Sequence, residues 1–165
     1  MLIDSQKFSR EQHTAHGMLP IAAFARLRDN LIAQPGADDQ VRYEVRGGVD
    51  ARERPLLRLT VSGQLPLQCQ RCLKALDYDL AIDTAVRLVA EAALDAEMSD
   101  DPDEPDCIAA STELDLVALI EDEILLALPA YPRHEDRDGG CGGMADEAGS
   151  KKNSAFSVLS ALKTL

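Results

Sequence analysis

The feature that most constrains this chain is a strict alternation of apolar and polar residues on either side of a Cys-x-x-Cys motif. Leu57, Leu59, Val61, Leu65, Leu67 and Cys69 take odd positions, with Arg58, Thr60, Ser62, Gln64 and Gln68 between them. Beyond Cys72 the apolar residues are Leu76, Tyr78, Leu80, Ile82, Val86 and Leu88, set against Asp77, Asp79, Asp83 and Arg87. A shorter run of the same kind precedes both: Val41, Tyr43 and Val45 among Arg42, Glu44 and Arg46, closed by Gly47-Gly48. A period of two sends successive side chains to opposite faces, so each run reads as a strand with one buried and one wet face. Three such runs in succession predict an antiparallel meander of at least three strands. Cys69-Gln70-Arg71-Cys72 then caps the turn between the two longest strands. Pro66 removes one ladder donor from the second run and predicts an edge or a bulge there.

The flanks carry a different period. Ile21, Phe24, Leu27 and Leu31 recur at helical spacing after Pro20, which suits a first helical turn, and Pro35-Gly36 closes the pattern. Residues 1–35 are therefore expected to be mainly helical. Residues 91–112 are acidic, hold Pro102 and Pro105, and read as a solvated, mobile loop. A long helix is expected next, from Leu116, Ile120, Ile124 and Leu128 with Val117 and Leu125 widening the stripe. Thr112 or Asp115 is placed to cap it, and Pro129 ends it. The polar, Gly-rich 133–153 stretch reads as flexible, and Phe156, Val158, Leu159, Leu162 and Leu165 suit a short amphipathic helix. The expected organisation is one α+β domain over 1–132, with an N-terminal helix and a long helix in the C-terminal half packed on the meander. A polar tail follows over 133–165.

Charge narrows the partners. The chain is net −12, but the excess is local: thirteen acids and no Lys or Arg lie between Leu88 and Pro132. A phosphate backbone meets repulsion there and near-neutrality elsewhere. Contact with RNA is thus not favoured by net charge, and a basic protein is the easier partner to justify. No run of apolar residues is long enough to span a membrane. Met1 to Arg10 lacks the apolar core of a secretory signal, so the expected location is the cytoplasm, with the four cysteines reduced.

No phosphate loop, dinucleotide fingerprint or nucleophile elbow is present. His13 and His16 read as surface residues on a helical segment. Glu121 and Glu123 read as the solvated face of the later helix rather than an acid–base pair. The protein is expected not to be an enzyme. Three readings of Cys69 and Cys72 compete. A redox pair sits at a helix N-terminus, and this motif joins two strands. A zinc site needs two more ligands, for which Cys107, His134 and Cys141 are the candidates, and the looser spacing of His134 and Cys141 makes that pair unusual. In the third reading the thiols simply pack as small turn residues, which is preferred to zinc on spacing alone. Arg71, flanked by Gln70 and Lys74 at the turn, is a candidate contact for phosphate or carboxylate.

The run Leu65-Pro66-Leu67-Gln68-Cys69-Gln70-Arg71-Cys72-Leu73-Lys74 resembles a segment of the YceD family, the bacterial large ribosomal RNA subunit accumulation proteins. Leu114-Asp115-Leu116-Val117, Glu121-Asp122-Glu123 and Ile124 to Pro129 are similar to a second signature, followed by Pro132, His134 and Cys141. The tail from Asn153 to Lys163 is similar to an Asn-Pro-Phe-Ala-Val-Leu pattern, with Ser154 in place of the proline, and Gly17 to Leu27 resembles the family's N-terminal part. The resemblance implies a non-catalytic factor for synthesis, processing or stability of 23S rRNA. The implied partner is a ribosomal precursor, or a basic ribosomal or rRNA-processing protein. Cys69, Gln70, Arg71, Cys72, Leu73 and Lys74 are then the expected partner-binding surface. Relatives resembling this chain carry extra cysteine pairs after the long helix, where this chain has Cys141 alone. Zinc on Cys69, Cys72, His134 and Cys141 is the alternative reading, and the first expectation is no cofactor.

Overall fold

The structure, a computed structural model, describes residues 1–36, 38–97, 101, 104–134 and 141. In chain order the elements are β1 (Leu2–Ile3), α1 (Ser5–Arg10), β2 (Thr14–Pro20), 3-10 turns at Ile21–Ala23 and Leu27–Asn30, β3 (Gln40–Val49), β4 (Pro55–Gln68) and β5 (Ala75–Val89). A 3-10 turn at Glu91–Ala93, α2 (Leu94–Glu97), β6 (Asp106–Ala109), β7 (Leu114–Asp115) and α3 (Leu116–Ala127) follow. The architecture is α+β. A five-stranded mixed sheet runs β2-β3-β4-β5-β6, and β1 pairs with β7 in a separate ribbon.

The meander forms as the alternation predicts. β3, β4 and β5 are consecutive antiparallel neighbours, and β4 and β5 stay in register from Leu56↔Arg87 to Gln68↔Ala75. The odd residues of β3 and β4 and the even residues of β5 supply the core: Val41, Tyr43, Val45, Leu57, Leu59, Val61, Leu65, Leu67, Leu80, Val86 and Leu88 are all buried. Pro66 is tolerated because β3 stops pairing at Ser62, leaving β4 an edge on that side. The Pro66 carbonyl accepts from Ile32 N–H at 3.0 Å instead.

Two expectations about the N-terminal part are overturned. Residues 1–35 are not mainly helical: they hold one six-residue helix, two strands and two 3-10 turns. Ile21, Phe24 and Leu27 are indeed fully buried, but their spacing of three is the period of a 3-10 turn, where i and i+3 eclipse. His16 consequently lies on strand β2, and His13 pairs with Glu11 at 3.1 Å. Gly47 and Gly48 do not end β3 but lie inside it. A Cβ on Gly47 would sit 2.2 Å from the Phe8 carbonyl oxygen, so the glycine is what lets α1 cross the sheet. Ser9 Oγ donates to the Gly48 carbonyl at 2.6 Å across the same contact.

α3 occupies the predicted place but has 12 residues, a helix of ordinary rather than unusual length. Asp115 is its cap, accepting from Val117 N–H at 3.0 Å, and Leu128 leaves helical geometry just before Pro129. It packs on β4 and β5, burying Leu116, Leu119, Ile120 and Ile124, each worth about 1.5–3 kcal/mol. Glu121 corrects the expected solvated face: it is buried, and Glu123 is half-buried. Glu121 Oε1 accepts from the backbone N–H groups of Arg26 and Leu27 at 2.6 and 3.1 Å, and Oε2 from the Arg26 guanidinium at 2.9 and 3.0 Å. This carboxylate caps the start of the second 3-10 turn and joins it to α3.

The acidic 91–112 stretch, expected as a loop throughout, contributes α2 and then β6, which pairs parallel to β5. It also covers Arg87, which the alternation placed on the wet face and which is 1% exposed. Arg87 donates to the Glu97 carboxylate at 3.1 Å and to the Glu97 carbonyl at 2.8 Å, with Glu104 at 3.7 Å. Among the described residues no helix is long and apolar enough to cross a membrane. The expected amphipathic helix at the end of the chain lies outside the described residues.

Candidate metal centre

The β4–β5 hairpin is closed by a turn of a definite shape. Cys69 N–H donates to the Lys74 carbonyl at 2.9 Å, and Leu73 N–H to the Cys69 carbonyl at 2.9 Å. Leu73 completes the reversal with φ of 60°, a left-handed conformation that costs a Leu roughly 1–2 kcal/mol. This folds Cys69 and Cys72 to the same side. Gln70 N–H then donates to the Pro132 carbonyl at 2.8 Å, which brings the chain leaving α3 across the turn.

That crossing supplies the second half of the set. Cys69, Cys72, His134 and Cys141 place their donor atoms within 4.8 Å of one another. Cys69 Sγ is 3.4 Å from Cys141 Sγ, and His134 Nδ1 is 3.5 Å from Cys72 Sγ and 3.8 Å from Cys141 Sγ. Zinc–sulfur bonds of about 2.3 Å and zinc–nitrogen bonds of about 2.0–2.1 Å in a tetrahedron require donor separations of about 3.5–3.8 Å. The four residues fit zinc on donor type and number, and these three separations lie close to the tetrahedral values. The ring orientation agrees. His134 Nε2 lies 2.9 Å from the Ala75 carbonyl, which can only accept. Nε2 therefore carries the proton, and Nδ1 turns its lone pair to the sulfurs, as a metal-bound histidine fixed by its outer hydrogen bond does.

The thiols are electrically unequal. Burial pushes Cys69 up, but the N–H groups of Cys72, His134 and Arg71 and then the Cys141 thiol outweigh it and bring it down to about 5. Burial, and then Cys69 and Cys72, push Cys141 up to about 11. One thiolate is thus held by backbone dipoles before any cation arrives, and its charge holds the proton on its neighbour. Two sulfurs 3.4 Å apart ionise together only with a cation between them.

The sequence reading named these four residues, and the fold brings all four together; the preference for mere packing thiols rested on the spacing of the second pair. Cys107, the other candidate, is elsewhere: its thiol donates to the Glu97 carbonyl at 3.3 Å beside Arg87. Of the expected partner-binding residues, Gln70, Arg71, Leu73 and Lys74 are exposed around the turn, whereas Cys69 is buried and Cys72 half-buried. Tyr131, which the sequence reading did not single out, is 78% exposed on the chain crossing the turn. Its position between Pro129 and Pro132 was the signal available.

No solved structure matches the chain. A family model described as large ribosomal RNA subunit accumulation protein YceD matches residues 57–163, a span that opens in β4 and contains the hairpin, the crossing and all four donors. The chain belongs to the YceD family of large ribosomal RNA subunit accumulation proteins.

Proposed function

We propose that the protein is a non-catalytic, cytoplasmic factor that supports accumulation of the large ribosomal subunit through the synthesis, processing or stability of 23S rRNA. The observation that carries this reading is the family match over 57–163. The geometry agrees with a role in binding. Four protein donors fill a tetrahedral ion, whereas catalytic zinc keeps a position open for water or substrate. Zinc on Cys69, Cys72, His134 and Cys141 would therefore fasten the chain crossing to the hairpin and present Gln70, Arg71, Leu73 and Lys74 as a stiff edge. The partner is a ribosomal precursor or one of its processing proteins.

Depletion of the protein tests the role. The ratio of 23S to 16S rRNA falls if the reading holds, and an unchanged ratio in a strain truly lacking the protein overturns it. Metal analysis of protein purified without chelators tests the ion separately. One equivalent of zinc is expected. Less than about a tenth of an equivalent leaves the four residues as packing thiols, since structural zinc binds tightly.

A further inference from the structure

The four donors leave unused a groove of about 870 Å³ beside them, between β5 at Leu76–Asp79 and the chain crossing at 129–134. β6 pairs only with Val86–Val89, so no further strand flanks this part of β5 among the described residues. The walls are fastened at three points. His134 is bonded to the Ala75 carbonyl, Gln70 N–H to the Pro132 carbonyl, and Tyr78 Oη donates to the Ala127 carbonyl at 3.3 Å. Pro129 and Pro132 add fixed backbone angles on either side of Tyr131. An aromatic ring is thus held in solvent on a stiff support.

The charges in the groove are arranged in two groups. Arg71 and Arg133 are exposed and in no ion pair among the described residues. Asp77 and Asp79 lie on one side of β5, about 7 Å apart along the strand. Asp79 accepts from Gln64 at 2.9 Å, whereas Asp77 makes no hydrogen bond among the described residues.

We propose that this groove binds single-stranded RNA, with a base stacked on Tyr131, phosphates against Arg71 and Arg133, and Asp77 accepting from an exocyclic base amine. The proposal rests on the ribosomal-RNA reading above and names its direct ligand. Planar guanidinium groups match phosphate, an exposed π-face matches a base, and a lone carboxylate acceptor matches the amines of C, A or G. A basic peptide would find Asp77 and Asp79 but be repelled by Arg71 and Arg133. The net charge of −12 does not forbid binding. The acidic 91–112 stretch joins β5 at Val86–Val89, roughly 30 Å along the strand from Asp77, and physiological salt screens beyond about 8 Å; of the three acids on α3, Glu121 and Asp122 are paired with Arg26.

The chain has no tryptophan, so Tyr131→Trp places a single reporter in the full-length protein. Titration with short oligo(C), oligo(A) and oligo(U) RNA is expected to quench its emission, with oligo(U) weakest because uracil has no exocyclic amine. In anisotropy measurements with labelled RNA, Tyr131→Ala is expected to bind about five- to a hundred-fold more weakly, while Tyr131→Phe retains binding. Arg71→Ala and Arg133→Ala each reduce the salt slope by about 0.7. Unchanged thermal unfolding of these surface variants separates lost contact from lost fold. No binding of any oligonucleotide by the native chain, equal binding by Tyr131→Ala, or a response to a Lys/Arg-rich peptide alone overturns the proposal. If binding fails while depletion still lowers the 23S ratio, the ribosomal role stands and RNA is removed from this groove. If binding holds while the ratio is unchanged, the groove stands and the role falls.

Discussion

The two ends of the β4–β5 hairpin both gather polar groups from distant parts of the chain, yet they balance them in opposite ways. At the open end, Arg87 is buried and answered by Glu97 and Glu104, and Arg54 by Asp50 at 2.6 Å. Cation and anion come from the same chain, so the cluster is complete as it stands. At the turn, three sulfurs and an imidazole nitrogen converge with no cationic side chain among them. A cluster made only of donors to metal is repulsive once ionised, and on the zinc reading proposed above its balance would come from an ion supplied from outside. The difference separates a contact that holds a fold from one that makes the fold depend on its surroundings.

The largest effect expected from breaking this symmetry is at the turn. Chelation, or Cys69→Ser, should remove bound zinc and lower thermal stability by about 4 kcal/mol at a thousandfold excess of metal over its dissociation constant. That is on the order of 10 °C, measured by calorimetry with and without added zinc. The open end should be indifferent to chelator. There, Arg87→Ala should cost about 3 kcal/mol in urea unfolding, the low side for a buried pair because Glu97 is half in solvent. A chelator that destabilises the Arg87→Ala protein no further would mean that the two ends are not independent.

Glu121 gives a third, smaller test. Its pKa is lowered: burial pushes it up, but the Leu27 N–H and the Arg26 side chain outweigh this. The folded value lies below that of the unfolded chain, so its contribution is complete above about 4.5 and is lost as pH falls through the folded value. Glu121→Gln should cost about 1–3 kcal/mol at neutral pH and flatten the acid limb of the stability curve. Equal acid sensitivity in both proteins would remove Glu121 from the account. Smallest is Leu73→Gly. Relief of the left-handed strain against the added backbone entropy should stabilise by about 0.5–1 kcal/mol with zinc stoichiometry unchanged. A destabilised variant would mean that the exposed Leu73 side chain packs on something that its 63% exposure does not suggest.

What could be read in the sequence follows from how far each signal reaches. The period of two in β3, β4 and β5 is local and repeats over many residues, so the meander, its buried face and the turn at Cys69–Cys72 were all legible. The N-terminal part was not. Ile21, Phe24 and Leu27 satisfy a helix and a pair of 3-10 turns equally well, and the second of those turns is held by Glu121, 95 residues away from Arg26. The same contact turned the supposed wet face of α3 into a buried one. Arg87 kept the correct parity but not the correct environment, because its cover comes from a segment whose composition reads as loop. The donor set was named residue by residue, but its convergence depends on the Gln70–Pro132 hydrogen bond, which leaves no trace in the spacing of His134 and Cys141.

The separation between the two halves of that set has a consequence in time. His134 follows Cys72 by 62 residues, and Cys141 follows Cys69 by 72. A chain made from its N-terminus completes the hairpin, β6 and α3 before either late donor exists. Until then the turn holds two thiols alone, and with α3 packed on β4 and β5 only the short run from Leu128 to His134 is left to cross to it. On the zinc reading proposed above, capture of the ion would accordingly be a last step. It would mark a molecule whose sheet and helix are already in place.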